Sequence, residues 1–156
     1  AWVAAGGPVE TGMRLPMRGD FEPTPGASPT ISVEDVLGFA ERAVLVDARD
    51  PERYRGEVEP VDPVAGHVPG AVNVPTGTNL RVDGTFRSPE EIRALYAVEG
   101  VTAEGEVGVY CGSGVTATHD VLALAHAGIS AALYPGSWSE WVADPSRPVA
   151  TGQERG

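Results

Sequence analysis

Along the chain, apolar residues gather in four short runs, separated by stretches whose apolar positions recur at helical spacing. Ala43-Val-Leu-Val46, Ala71-Val-Asn-Val74, Val107-Gly-Val-Tyr110 and Ala131-Ala-Leu-Tyr134 have the length and composition of strands buried on both faces. Ser32 is placed to cap a helix over 33–42, with Asp35 in the first turn where a negative charge suits the helix dipole. Ser88-Pro-Glu-Glu91 has the form of a capping box with proline at the first helical position, and predicts a helix over 89–98. Val115 to Ala127 repeats at helical spacing and meets Gly128, a natural C-terminal cap. Residues 137–143 read as a short last helix. Strands alternating with helices predict an α/β domain.

An internal repeat bears on the organisation. Trp2-Val-Ala, followed after a gap by Pro8-Val-Glu-Thr-Gly12, returns as Trp141-Val-Ala and Pro148-Val-Ala-Thr-Gly152. A segment that closes one domain therefore also opens this chain, as a tandem duplication would produce. The expected division is 1–12 as the C-terminal tail of an upstream domain, 13–30 as a Pro- and Gly-rich linker, 31–152 as the catalytic domain and 153–156 as a tail.

Composition narrows the chemistry. With 42% hydrophobic and 21% charged residues over 156 positions, the chain has the make-up of a soluble globular protein. It lacks the apolar run of about 20 residues that spans a bilayer. It reads as cytoplasmic, with no membrane partner. The net charge of −11 argues against nucleic acid as a partner, which calls for a basic face. All eleven basic residues are arginines, which excludes lysine Schiff-base chemistry. An anionic substrate would need positive potential supplied locally, by a few arginines or by backbone N–H groups. The single cysteine rules out an intrachain disulfide and a cysteine-rich zinc site. His119 and His126 lack metal-ligand spacing, and no metal or organic cofactor is implied.

That cysteine stands between a predicted strand and a predicted helix: Tyr110-Cys111-Gly-Ser-Gly-Val-Thr116. Two glycines within three positions let the backbone curl and turn its N–H groups inward, and the following helix adds its positive end. Donors in that arrangement stabilise a thiolate, and equally a persulfide anion one atom further out. Cys111 is therefore the candidate nucleophile, cradled by Gly112, Ser113, Gly114, Val115 and Thr116.

Cys111-Gly-Ser-Gly-Val-Thr-Ala117 resembles the active-site loop of the rhodanese superfamily, in the form carried by 3-mercaptopyruvate sulfurtransferases. Leu45-Val-Asp-Ala-Arg49, Gly66-His-Val-Pro-Gly-Ala-Val-Asn-Val74 and Tyr134-Pro-Gly-Ser-Trp-Ser-Glu-Trp141 resemble three further motifs of that family, in its order. The resemblance spans roughly residues 31–152 and implies an α/β, rhodanese-like three-layer domain with a mainly parallel, five-stranded central sheet flanked by helices. It also implies a ping-pong sulfurtransferase. Cys111 takes a sulfane sulfur from a small anionic donor, becomes a persulfide and passes the sulfur to cyanide or a thiol. It implies Arg53 as a binder of the donor's anionic group, with Arg55 as a second candidate, and it gives His67 a mainly structural role. Asp47 either orients loop groups or pairs with Arg49. Tandem rhodaneses carry the active cysteine in the second domain, so an upstream rhodanese-like domain, possibly as a separate chain, is an expected partner.

Thiosulfate-using relatives place basic residues directly after the cysteine. Gly112 and Ser113 stand there in this chain, as in the mercaptopyruvate enzymes, where the serine hydroxyl assists proton transfer. Mercaptopyruvate is thus the expected donor, and thiosulfate the alternative. Some mercaptopyruvate enzymes have a further arginine in the loop after Arg55, absent from Glu57-Val-Glu-Pro-Val-Asp62. A phosphatase of the same fold needs an arginine at the sixth position after the cysteine; Ala117 stands there. A non-catalytic rhodanese-like binding module is the reading from another class, to which the intact cysteine loop is unsuited.

Overall fold

The computed structural model describes residues 1–24, 26 and 28–156; the linker assignment at Pro25 and Ala27 falls outside them. Four parallel strands form the centre: β1 Val44–Asp47, β2 Val72–Asn73, β3 Val107–Tyr110 and β4 Ala132–Leu133, in spatial order β2-β1-β3-β4. β1 and β3 pair along their whole length, from Val44 opposite Val107 to Asp47 opposite Tyr110. Five α-helices surround them: α1 Val36–Arg42, α2 Pro51–Tyr54, α3 Pro89–Ala97, α4 Val115–His126 and α5 Ser137–Ala143. A 3-10 turn spans Thr76–Asn79.

Among the described residues the sheet has four strands, not five. The nearest thing to a fifth is a single parallel bridge between Thr30 and Leu133, where Ile31 N–H donates to the Leu133 carbonyl and Leu133 N–H to Pro29. Pro29 has no N–H with which to extend that pairing.

Alternation along β1 and β3 divides the core in two, because successive side chains of a strand point to opposite faces. Val46, Val107, Val109 and Cys111 pack with Ile92 and Tyr96 of α3 and with Ala117, Ala123 and Leu124 of α4. Leu45 and Tyr110 pack on the other face with Val36 and Phe39 of α1 and Trp138 and Trp141 of α5. Gly108 lies where any Cβ would press on Ile31 and Phe39, so its glycine lets α1 approach the sheet. These two layers over one sheet are the expected three-layer architecture.

Most predicted helix ends are reproduced. Ser88 and Glu91 form the capping box, α5 covers 137–143, and Gly128 follows α4 with φ +79°. At α1 the cap differs: the helix starts at Val36 with Asp35 as N-cap, and the Ser32 hydroxyl donates to the Asp35 carboxylate at 2.8 Å. The carboxylate competes successfully for the hydroxyl, so residues 33–35 form a turn instead of helix.

The repeat has a structural counterpart. Trp141 Nε1 donates to the Pro148 carbonyl at 2.9 Å, and Trp2 Nε1 donates to the Pro8 carbonyl, also at 2.9 Å. The later copy is clamped to the domain through His67 and Ala150, which exchange backbone hydrogen bonds. In the earlier copy Trp2 is 64% exposed, and Met13, Leu15, Met17 and Phe21 beyond it are exposed too. Among the described residues, no helix is long and apolar enough to cross a membrane.

Candidate active site

In a parallel sheet, the carboxyl ends of the strands leave a crevice, and here β1 and β3 end beside a cavity of about 240 Å³. Cys111 directly follows β3 and is almost fully buried. Gly114 adopts φ +80° and acts as N-cap of α4; a Cβ there would collide with the Pro135 carbonyl oxygen. Glycine is required at that position twice over, by conformation and by space. No side chain caps α4, so the unpaired N–H groups of its first turn remain available beside the cysteine.

The backbone of the cysteine loop is held from α5. Cys111 N–H donates to Ser137 Oγ at 3.1 Å, and that hydroxyl donates to the Tyr134 carbonyl at 2.9 Å. Trp138 N–H donates to the Cys111 carbonyl and Ser139 N–H to the Gly112 carbonyl. Ser137 is the one non-glycine with positive φ among the described residues, at +55°. A strained conformation of this kind costs roughly 1–3 kcal/mol, and here it coincides with the clamp on Cys111.

The opposite wall comes from the end of β1 and the segment after it. Asp47 and Arg49 are both buried and joined by a bidentate contact, with Nη2 to Oδ2 at 2.6 Å and Nε to Oδ1 at 3.0 Å. Arg49 also donates to the Gly66 carbonyl at 2.6 Å and lies over the Trp138 ring at 4.6 Å. Burial works against the Arg49 cation, but the carboxylates of Asp47 and Glu59 outweigh it and raise its pKa. Arg53 Nη2 donates to Glu59 Oε1 at 2.6 Å. Burial opposes the Glu59 charge, while Arg53 and the N–H groups of Val61 and Asp62 hold its carboxyl below the usual range.

Of the residues singled out in the sequence, Cys111, Gly112, Ser113, Thr116 and Arg53 line this one cavity. Gly114 and Val115 shape the loop and open α4 without lining it. Asp47 lies beneath and takes the second of its two readings, pairing with Arg49. Arg55 is not brought to the cavity. It pairs with Glu57 at 2.7 Å and lines a separate groove with Tyr54, Asn73 and Arg155. Residues two apart on a helical turn do not share a face, which is why α2 presents Arg53 to the cavity and turns Arg55 away. His67 is buried and stacked on Tyr54 at 3.7 Å, with Nδ1 against the Tyr54 carbonyl at 2.8 Å. That position is structural, as expected. His119 and His126 flank the Phe86 ring.

Three participants were not legible beforehand. Ser137 carried no signal beyond its place in a Gly-Ser-Trp motif. Arg49 was read only as a possible partner of Asp47 and Glu59 was not singled out; the fold buries both beside the cavity. Behind the cavity, Asp120 of α4 is also fully buried, accepting from Asn79 Nδ2 at 3.1 Å. Burial pushes its carboxyl up to about 7, against the opposing hydrogen bonds of Thr76, Tyr96 and Asn79.

A buried cysteine after a parallel strand, a left-handed glycine and a helix N-terminus without a side-chain cap stand together at this cavity. Residues 32–144 match the family described as rhodanese-like domain. The chain belongs to the rhodanese family. This rhodanese domain is 49% identical over 155 residues to a "Putative thiosulfate sulfurtransferase SseB" of Mycobacterium tuberculosis, covering 97% of this chain and 55% of that protein. It is 47% identical over 158 residues to a "Probable 3-mercaptopyruvate sulfurtransferase" of Pseudomonas aeruginosa, with the same coverage of 97% and 55%. The chain thus spans about half the length of the curated relatives it matches. Among solved structures, YnjE superposes with a TM-score of 0.82 at 30% identity, over 98% of this chain and 41% of that one.

Proposed function

We propose that this rhodanese domain transfers a sulfane sulfur through a persulfide on Cys111. The observation that carries the reading is the geometry around Cys111. The cysteine ends a strand, its carbonyl and that of Gly112 are tied to α5, and the first turn of α4 beside it has no side-chain cap. Uncapped N–H groups at a helix start favour an anion, and both the thiolate and the persulfide are anions.

The donor we favour is 3-mercaptopyruvate. The Cys111 thiolate attacks the donor sulfur, an S–S bond forms and the C–S bond breaks. Its electron pair goes to the donor carbon, which takes a proton and leaves as pyruvate. Ser113, on the cavity wall, is the hydroxyl we assign to that proton transfer, and Arg53 the guanidinium nearest the donor's carboxylate. Cyanide or a thiol then removes the outer sulfur and regenerates Cys111. Thiosulfate is the second reading, favoured by the name of the M. tuberculosis relative. In that case the S–S bond breaks and sulfite leaves with the electron pair. The Gly112-Ser113 pair, with no basic side chain after the cysteine, supports the first donor.

We also infer that residues 1–12 are the tail of an upstream rhodanese-like domain. The repeat, the matching Trp2–Pro8 and Trp141–Pro148 hydrogen bonds and the half-length match to the relatives support this. Such a domain would cover the exposed apolar residues of the first 24 positions.

The test is a cyanide-coupled assay with mercaptopyruvate and thiosulfate in parallel, with and without the upstream domain. Faster turnover with mercaptopyruvate is expected. A clear preference for thiosulfate would reverse the donor assignment. Failure of both donors to load sulfur, with the upstream domain restored, would leave a binding module.

A further inference from the structure

The cationic wall of the Cys111 cavity is less available than its two arginines suggest. Glu59 is 3% exposed at its side chain and occupies both guanidinium groups at once. Its Oε1 accepts from Arg53 Nη2 at 2.6 Å, and its Oε2 from Arg53 Nε at 3.2 Å and Arg49 Nη1 at 3.3 Å. The same carboxylate accepts the N–H groups of Val61 and Asp62 at 3.1 and 3.2 Å, so the loop after α2 holds it rigidly. Asp62 adds a second carboxylate, 3.8 Å from Arg53 Nη2. Its Oδ2 is buried without a hydrogen-bond partner, on the cavity wall. Asp50 lines the same wall.

Arg53 is left with one free edge. A Cβ built on Gly112 would stand 3.5 Å from Arg53 Nη1 and 3.6 Å from Nη2, so the Nη1–Nη2 end of the guanidinium is the part that meets a donor beside the cysteine loop. A guanidinium grips an anion best with two parallel N–H groups, and Glu59 has taken the Nε–Nη2 pair. The charges around the cavity sum to a deficit: Arg49 and Arg53 are positive, whereas Asp47, Asp50, Glu59 and Asp62 are negative. A doubly charged donor experiences that field twice as strongly as a singly charged one.

We infer that Glu59 is a specificity-determining residue, which holds the Nε–Nη2 edge of Arg53, keeps the cavity net negative and so selects a singly charged carboxylate donor over a dianion. The inference rests on the sulfur-transfer reading above and deepens it: donor preference is set by the acidic loop 57–62 as well as by the residues after Cys111.

The test is single-turnover sulfur loading of the chain at limiting donor and fixed low ionic strength, followed by intact mass. Loading constants for thiosulfate and mercaptopyruvate are compared in the wild type, Glu59→Gln and Asp62→Asn. Glu59→Gln is expected to raise the thiosulfate-to-mercaptopyruvate ratio by about ten- to a hundredfold, the effect of one unit charge roughly 6–12 Å from the donor at an effective dielectric of about 20. Asp62→Asn shifts the ratio the same way by less, its carboxylate being further from Arg53. It also decides the matter alone if Glu59→Gln does not fold. Wild-type loading with an unchanged ratio in the folded variants overturns this inference and leaves sulfur transfer standing. Loading of the wild type by neither donor, with the upstream domain restored, overturns both.

Discussion

Replacing Arg49 by methionine isolates the energetics of the cavity wall. Arg49 holds the buried Asp47 through three side-chain contacts of 2.6–3.1 Å, and bonds Gly66 and Glu59 as well. Methionine fills similar volume but leaves Asp47, which is 0% exposed, as an unpaired buried charge. Breaking a buried pair from one side costs about 3–5 kcal/mol. Glu59 keeps Arg53 as partner, so the cost is concentrated at Asp47. If that reasoning holds, Asp47→Asn placed on top of Arg49→Met recovers much of the loss, because it removes the stranded charge. Urea unfolding of the wild type, both single variants and the double variant gives the cycle directly. A loss below ~1 kcal/mol for Arg49→Met, or a double variant no more stable than Arg49→Met alone, would refute the reasoning.

Three further outcomes are expected. Gly114→Ala forces a Cβ into the Pro135 carbonyl at positive φ and should slow sulfur loading at Cys111 by at least about tenfold, with a stability loss of ~1–3 kcal/mol; unchanged loading in a folded variant would contradict the account of the loop. Ser137→Ala leaves the Cys111 N–H without its acceptor and should destabilise the fold by about 1–3 kcal/mol, measured by the shift in urea midpoint. Asp120 supplies a pH test. Its native pKa of about 7 lies above the ~3.9 of an unfolded aspartate, so the native state binds the extra proton. Stability should therefore fall as pH rises from about 4 to 7 and then level off, by at most about 4 kcal/mol. Asp120→Asn should abolish that decline, and a decline that persists in the variant would place its source elsewhere.

The strands at Val44 and Val107, the capping box at Ser88 and the bounds of α5 were legible because each is a local signal: a short apolar run, a capping pattern, a helical spacing. That the expected fifth strand is reduced to a single bridge was not, because pairing at Thr30 is limited by Pro29 and by what β4 offers across space. The four-residue α2 and the 3-10 turn at Thr76–Asn79 are too short to leave a periodic trace. In the site, Cys111 and its glycines were legible because a strand–loop–helix anion cradle is built from consecutive residues. Glu59 and Ser137 were not, since each acts on a partner brought to it by the fold, whereas the local Asp47–Arg49 pairing was foreseen and only its burial was not. Arg55 was misplaced for a related reason: two arginines two positions apart look equivalent in sequence, and the helical turn sends them to different grooves.

The central claim is that Cys111 carries the transferred sulfur. The most direct measurement is intact mass of the protein after brief exposure to each donor, on the wild type and on Cys111→Ser, with urea unfolding to verify that both are folded. The account predicts one added sulfur on the wild type, removed by cyanide, and none on Cys111→Ser at unchanged fold. Sulfur loading that survives the substitution, or a folded wild type that takes none from either donor even beside its upstream domain, would contradict it.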